Sequence, residues 1–143
     1  MSIWFAPVSI DTFNKRAFNT AIAHLGIELV EVGDSHFKGR MPVDHRTHQP
    51  LGLLHGGVSM VLAETLASMA AYATLDPDKQ FCVGQEINGN HVRSVREGWV
   101  YGVATPLHRG ATSQIWEVRI TDEADRLVCI SRVTMAVLAL RTH

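Results

Sequence analysis

From Gln49 to Leu75 the chain reads QPLGLLHGGVSMVLAETLASMAAYATL. After the paired glycines almost every residue is apolar or small, and one ionisable side chain, Glu64, sits in the middle. Ala and Leu at high density, with no proline before Pro77, predict a helix from Val58 to about Thr74. A helix that is apolar on all sides has to be enclosed, either by the rest of its own fold or by lipid. Its length is near the lower limit for a membrane span, about 17 residues. However, Ser59, Glu64, Thr65, Ser68 and Thr74 weaken the membrane reading, and nothing else in the chain resembles a second span. The remaining sequence is therefore expected to wrap around this helix.

That sequence is long enough to do so. The 143 residues suit one ordinary domain, taken here as 1–143, with 46% apolar and 19% charged residues. A net charge of −1 gives no electrostatic reason to expect nucleic acid as a partner. The two cysteines, Cys82 and Cys129, lie in apolar stretches and match no metal-ligand spacing. They read as free thiols in a reducing cytoplasm. The N-terminus MSIWFAPVSIDTFNKR lacks the basic and apolar regions of a signal peptide.

SIDTFNKRAFNTAIAHLG predicts one helix, capped by Ser9 or Asp11, with Phe13, Phe18, Ile22 and Leu25 at helical spacing and Gly26 as the stop. IELVEVG and HFKGRMPV predict two strands around a Gly33-Asp34 turn. Residues 44–57 form a loop rich in His, Pro and Gly. Beyond the apolar helix come four strand-like runs: FCVGQEINGNHVRSV, GWVYGVATPLH, TSQIWEVRIT and LVCISRVTMAVLAL. In the third, Trp116, Val118 and Ile120 fall on one face and Glu117 and Arg119 on the other. DEADR (122–126) is the turn into the last strand. Consecutive strands without intervening helices predict antiparallel pairing and an α+β class, a single sheet curled around one helix.

Glu64 is then the informative residue. A buried carboxylate finds a partner or shifts its pKa. The plain reading is a paired core glutamate; the functional one is a nucleophile or general base in a dry pocket. On the helix Gly57, Met60, Val61, Glu64, Ala67, Ser68 and Ala71 share roughly one face, with Ser68 one turn beyond the acid. Ser68 either orients a water there or bonds back to a backbone carbonyl. His55-Gly56-Gly57 opens the helix, where the first N–H groups have no internal partner and carry positive partial charge, a site for a developing oxyanion. Gly56 and Glu64 are roughly 12 Å apart along the axis, too far to touch one carbonyl. Either they serve different tasks, or a twofold axis sets Gly56 of one copy beside Glu64 of another, giving an obligate dimer with two shared sites. A zinc site at HRTH (45–48) and His55 has no HExxH or Cys-rich pattern behind it.

MPVDHRTHQPLGLLHGGVSMVLAETLAS, EINGNHVRSVREG and PLHRGATSQIWEVRITDEADRLVCISR together resemble the bacterial hotdog-fold acyl-CoA thioesterases, over almost the whole chain. The resemblance implies an antiparallel sheet of five to six strands wrapped around one long central helix, dimerised and often paired again into a tetramer. It implies hydrolysis of an aromatic acyl-CoA, hydroxybenzoyl- or 1,4-dihydroxy-2-naphthoyl-CoA, the latter in menaquinone synthesis, or proofreading of misacylated carrier protein. Neither cofactor nor metal is implied; water is the second substrate. By this resemblance Glu64 is the catalytic carboxylate, and the Gly56 N–H and the Gln49 amide polarise the thioester oxygen. His55 stands beside them, Ser68 positions water, and Met69 and Tyr72 border the acyl pocket. Substrate and coenzyme A binding falls to Gly84, His91, Val92, Arg93 and Ser94, with His91 near the acyl or thioester end, and to the turn His108, Arg109, Gly110, Ala111, Thr112 and Ser113. Arg93, Ser94, His108, Arg109 and Thr112 are suited to phosphates. Gly89 departs from the pattern, standing where alanine is expected. The rival readings are an enoyl-CoA hydratase, which would call for an Asp-His pair near the helix start, and a non-catalytic acyl-CoA binder.

Overall fold

The computed structural model describes residues 1–141. Two short helices, α1 (Ile10–Arg16) and α2 (Ala21–His24), precede strands β1 (Glu28–Val32) and β2 (Phe37–Val43). The long helix α3 (Gly56–Ala73) follows, and then β3 (Gln80–His91), β4 (Gly98–Arg109), β5 (Ser113–Asp122) and β6 (Leu127–Ala139). The six strands form one antiparallel sheet in the order β1-β2-β4-β5-β6-β3. The expected α+β class and the sheet curled around a helix are what the chain adopts.

Side-chain alternation decides which face meets α3. Trp116, Val118 and Ile120 are fully buried against it, as are Phe37, Met41, Val100, Val133 and Met135 from neighbouring strands. Gly39 and Gly102 are paired across β2 and β4, and a Cβ on either would strike the Leu66 side chain. These two glycines let the helix sit down on the sheet. A relay that is buried at Trp116 and partly buried at Thr74 fixes its far end: Trp116 Nε1 donates to Gln114 Oε1 (2.8 Å), Gln114 Nε2 to Thr74 Oγ1 (2.9 Å), and Thr74 Oγ1 to Ala71 O (2.7 Å).

Three local expectations need correction. The predicted first helix is two helices. Asn19 adopts a left-handed φ of 60°, Thr20 caps a second start, and Phe18 is left 82% exposed. The break lets Asn14 bond both the N–H and the carbonyl of Leu29, stapling α1 to β1. Helix α3 begins at Gly56 rather than Val58, because His55 caps it. The first late strand ends at His91, where Val92 and Arg93 turn their N–H groups onto Val128 O and Val95 O accepts from Leu54 N.

Enclosure of α3 is the larger correction. Its Ser59, Leu62, Ala63, Leu66, Ala67, Ala70 and Ala71 are buried, but Gly57 and Glu64 are exposed in the single chain. One face of an apolar helix thus stays uncovered by its own fold, and the carboxylate lies on that face.

Candidate active site

The loop before α3 is a compact scaffold. The buried Thr47 hydroxyl donates to Pro42 O and accepts from Asp44 N, while Thr47 O accepts from His55 N (2.8 Å). Gly52, at φ 76°, closes a turn in which Gly52 N donates to Gln49 O. Sequence reasoning missed Thr47; the Asp44-x-x-Thr47 spacing, a side-chain-stabilised turn, was the available signal. His48 Nε2 is occupied by Arg96 O (2.7 Å).

This scaffold aims two groups into one cleft. His55 Nδ1 accepts the Gly57 N–H (2.9 Å), which assigns the lone pair to Nδ1 and the proton to Nε2. Val58 N and Ser59 N donate to His55 O. Of the opening amides of α3 only Gly56 N–H is uncommitted among the described residues. It faces a cleft of about 440 Å³ lined by Gln49, Leu53, Leu54, Gly56, Ser59, His91, Val92, Arg93, Ser94 and Val128. Gln49 Oε1 accepts the Leu51 N–H, so its NH₂ group is the end left to donate. The His91 ring lies directly over Gly56, where a Cβ would meet Nε2 at 2.8 Å. Ser59, buried in the helix face, is a lining residue that the sequence did not disclose.

Glu64 is not in this cleft. Its carboxylate lies over Gly84 on β3, where a Cβ would run into Oε1. Ser68 points its hydroxyl at Met135 Sδ (3.7 Å), toward the sheet. The β4–β5 turn is closed by Gly110 N donating to Ser113 O, with His108 packed over Gly110. Ser113 pairs with Ala136, and Ala136 with Val83, so the turn carrying His108, Arg109, Ala111 and Thr112 lies at the Glu64 end. Met69 and Tyr72 border a separate apolar groove with Ser68.

Within one chain the candidate residues therefore form two groups. Gln49, His55, Gly56 and His91–Ser94 stand at the start of α3; Glu64, Ser68, Gly84 and the 108–113 turn stand about two helical turns further on. Three contacts order them: Gly56 under His91, Met60 over Gly89, and Glu64 over Gly84. Burial pushes the Cys82 thiol up to about 11 and raises that of Cys129, which disfavours the thiolate that would act as a nucleophile.

An antiparallel sheet wrapped around one central helix is the hotdog fold, and it is shared with solved thioesterases. The chain belongs to the thioesterase superfamily, whose profile matches residues 51–129. It is 49% identical to the proofreading thioesterase EntH of Cronobacter turicensis, over 95% of this chain and 98% of that one. It is 46% identical to the 1,4-dihydroxy-2-naphthoyl-CoA hydrolase of Escherichia coli, over 95% of this chain and 99% of the relative. A thioesterase structure from Haemophilus influenzae superposes with a TM-score of 0.95 at 42% identity, covering 99% of this chain and 98% of that one. The protein is a thioesterase.

Proposed function

We propose that this thioesterase hydrolyses aromatic acyl-CoA, hydroxybenzoyl- or 1,4-dihydroxy-2-naphthoyl-CoA, at two sites shared between two copies of the chain. The observation that carries the reading is the separation of the two groups beside an open edge. Gly56 lies under His91 and Glu64 over Gly84, about two helical turns apart along α3, so one carbonyl cannot reach both within a chain. A twofold axis perpendicular to α3 between them would set each Glu64 beside the Gly56 amide of the other copy. It pairs two β3 edges and covers the open face of α3. Further pairing of such dimers makes a tetramer.

The chemistry follows. Gly56 N–H and the Gln49 NH₂ group polarise the thioester oxygen and hold the oxyanion as it forms. Glu64 of the other copy attacks the carbonyl or takes a proton from the attacking water. His55, with its proton on Nε2, donates toward the departing thiolate. Arg93, Ser94 and Val92 on one copy, and His108, Arg109 and Thr112 on the other, meet the nucleotide and pantetheine, while Met69 and Tyr72 border the acyl group. Water and the thioester are the only reactants. The naphthoyl substrate supports a place in menaquinone synthesis, and the free thiols Cys82 and Cys129 support a cytoplasmic one.

Thiol release followed with a thiol dye tests the reading across benzoyl-, hydroxybenzoyl- and naphthoyl-CoA, fatty acyl-CoA and aryl-loaded carrier protein. Aryl-CoA is expected to turn over fastest. Faster release from the loaded carrier protein would favour proofreading, the role in EntH's name. Binding without release would leave an acyl-CoA binder, and hydration of an enoyl-CoA without release would leave a hydratase.

A further inference from the structure

A second feature of α3 concerns what the site accepts. Glu64, Ser68 and Tyr72 form one row at four-residue spacing, so they line up along a single edge of the helix. One turn beyond the carboxylate this row borders an open groove of about 270 Å³ between α3 and the first two helices, lined by Phe13, Arg16, Ala17, Ile22, Ser68, Met69 and Tyr72. A second groove of about 210 Å³ continues past it, between α1, the end of α3 and the N-terminal segment, where Phe5, Val8 and Leu75 contribute apolar walls. Phe5 N donates to Ala73 O (2.8 Å), which holds that segment across the helix end.

Phe13, Arg16 and Tyr72 line both grooves and so stand between them. Phe13 is fixed by edge-on packing against the buried Phe37, with ring centroids 5.6 Å apart. Arg16 is different. It is exposed, it ends α1, and among the described residues it makes no ion pair, whereas its neighbour Lys15 is held by Asp11 at 2.8 Å. A guanidinium left at the junction of two apolar grooves keeps its hydration, and an apolar chain pushed against it must strip that water away.

Accepting the proposed acyl-CoA hydrolysis at Glu64, we infer that the inner groove is the acyl chamber and that Arg16 is its charged end-stop, a specificity-determining residue that limits acyl length. From Glu64 to Tyr72 the helix advances about 12 Å, and it ends one residue further on at Ala73. An extended chain gains about 1.2 Å per bond, by the reach of a peptide backbone. The inner chamber therefore takes a ring or a chain of roughly ten bonds, and only passage beyond Arg16 admits a longer one. The favoured substrates are ring-sized or short acyl groups, and the outer groove is space that the charge withholds from longer chains.

The test is kcat/KM on benzoyl-, hexanoyl-, dodecanoyl- and tetradecanoyl-CoA for the wild type, Arg16→Met and Arg16→Lys. Arg16→Met keeps the bulk of the stem and removes the charge. It is expected to raise the ratio of dodecanoyl to benzoyl turnover at least about tenfold, the scale on which apolar pockets discriminate chain length. Arg16→Lys should stay within about threefold of the wild type, since it keeps a cation at the junction. The benzoyl kcat should hold in both variants. An active enzyme whose ratio ignores Arg16→Met overturns the end-stop while leaving the hydrolysis standing. An equal shift in Arg16→Lys also overturns it, because charge would then not be the cause. A wild type that releases thiol from none of the panel sinks the hydrolysis itself, and the inference with it.

Discussion

The two edges of the sheet are finished differently. At one end β1 is five residues long, bulged between Leu29 and Glu31, carries charged Glu28 and Glu31, and is stapled by Asn14 of α1. Short length, charge and a bulge are the ways soluble proteins close an edge. At the other end β3 runs for twelve residues, is mostly exposed, and pairs only with β6. Among the described residues nothing covers it or the face of α3 beside it. An edge left this open beside the carboxylate proposed for catalysis suits a second copy as its cover, and under that proposal assembly and activity are tied together.

That contrast can be broken at several points. The largest effect belongs to Glu64→Ala, expected to lower kcat by more than about 10³-fold with substrate binding largely retained; retention of more than a tenth of wild-type turnover would remove Glu64 from the chemistry. Gln49→Ala should cost about 10²–10³-fold, the usual loss for one oxyanion donor. The two variants then sharpen the edge argument. Mixed under conditions that exchange subunits, they should recover roughly a quarter of wild-type sites, because a mixed pair holds one intact and one doubly broken site. No recovery despite proven exchange would place both groups within one chain.

Gly84→Ala is a milder probe of β3. Its Cβ would collide with the Glu64 carboxylate, which has to swing aside. We expect about a tenfold fall in kcat with an unchanged melting temperature, the misplacement of a reacting group being the cause. A melting temperature that falls in step with activity would instead make Gly84 a packing residue.

The smallest effect lies far from the open edge. Asp44 is held down to about 2 by hydrogen bonds from the Arg46 side chain and backbone N–H, against an ordinary value of 3.8. A carboxylate with a depressed folded pKa adds stability above its unfolded pKa and loses it as pH falls. The wild type should therefore exceed Asp44→Asn slightly in denaturant midpoint at neutral pH. The gap should close between about pH 4 and pH 2. A gap that persists at pH 2 would assign it to something other than the ion pair.

Much of this was legible in the chain itself. Alternation in SQIWEVRITD set which side of β5 is buried, since side chains on a strand alternate by geometry. The run of Ala and Leu after Gly57 set the central helix, and one acid within it singled out Glu64. The sequence predicts one first helix where there are two, because spacing alone cannot show that Asn19 takes a left-handed φ, or that Asn14 is drawn to Leu29. Likewise the apolar neighbours of Glu64 predict its burial, whereas in the single chain Glu64 is exposed.

Local pattern thus determined the elements, their faces and the residue types able to do acyl chemistry, because periodicity and propensity act over a few residues. Only the tertiary structure decided which of those residues meet. The order β5-β6-β3 carries the 108–113 turn to the Glu64 end, Gly84 and Gly89 let side chains of α3 lie against β3, and the Thr47 scaffold frees one amide at Gly56. The contacts between α3 and β3 join positions 20 and 29 residues apart in the chain. Packing and hydrogen bonding across the sheet fix them, and no local pattern encodes them.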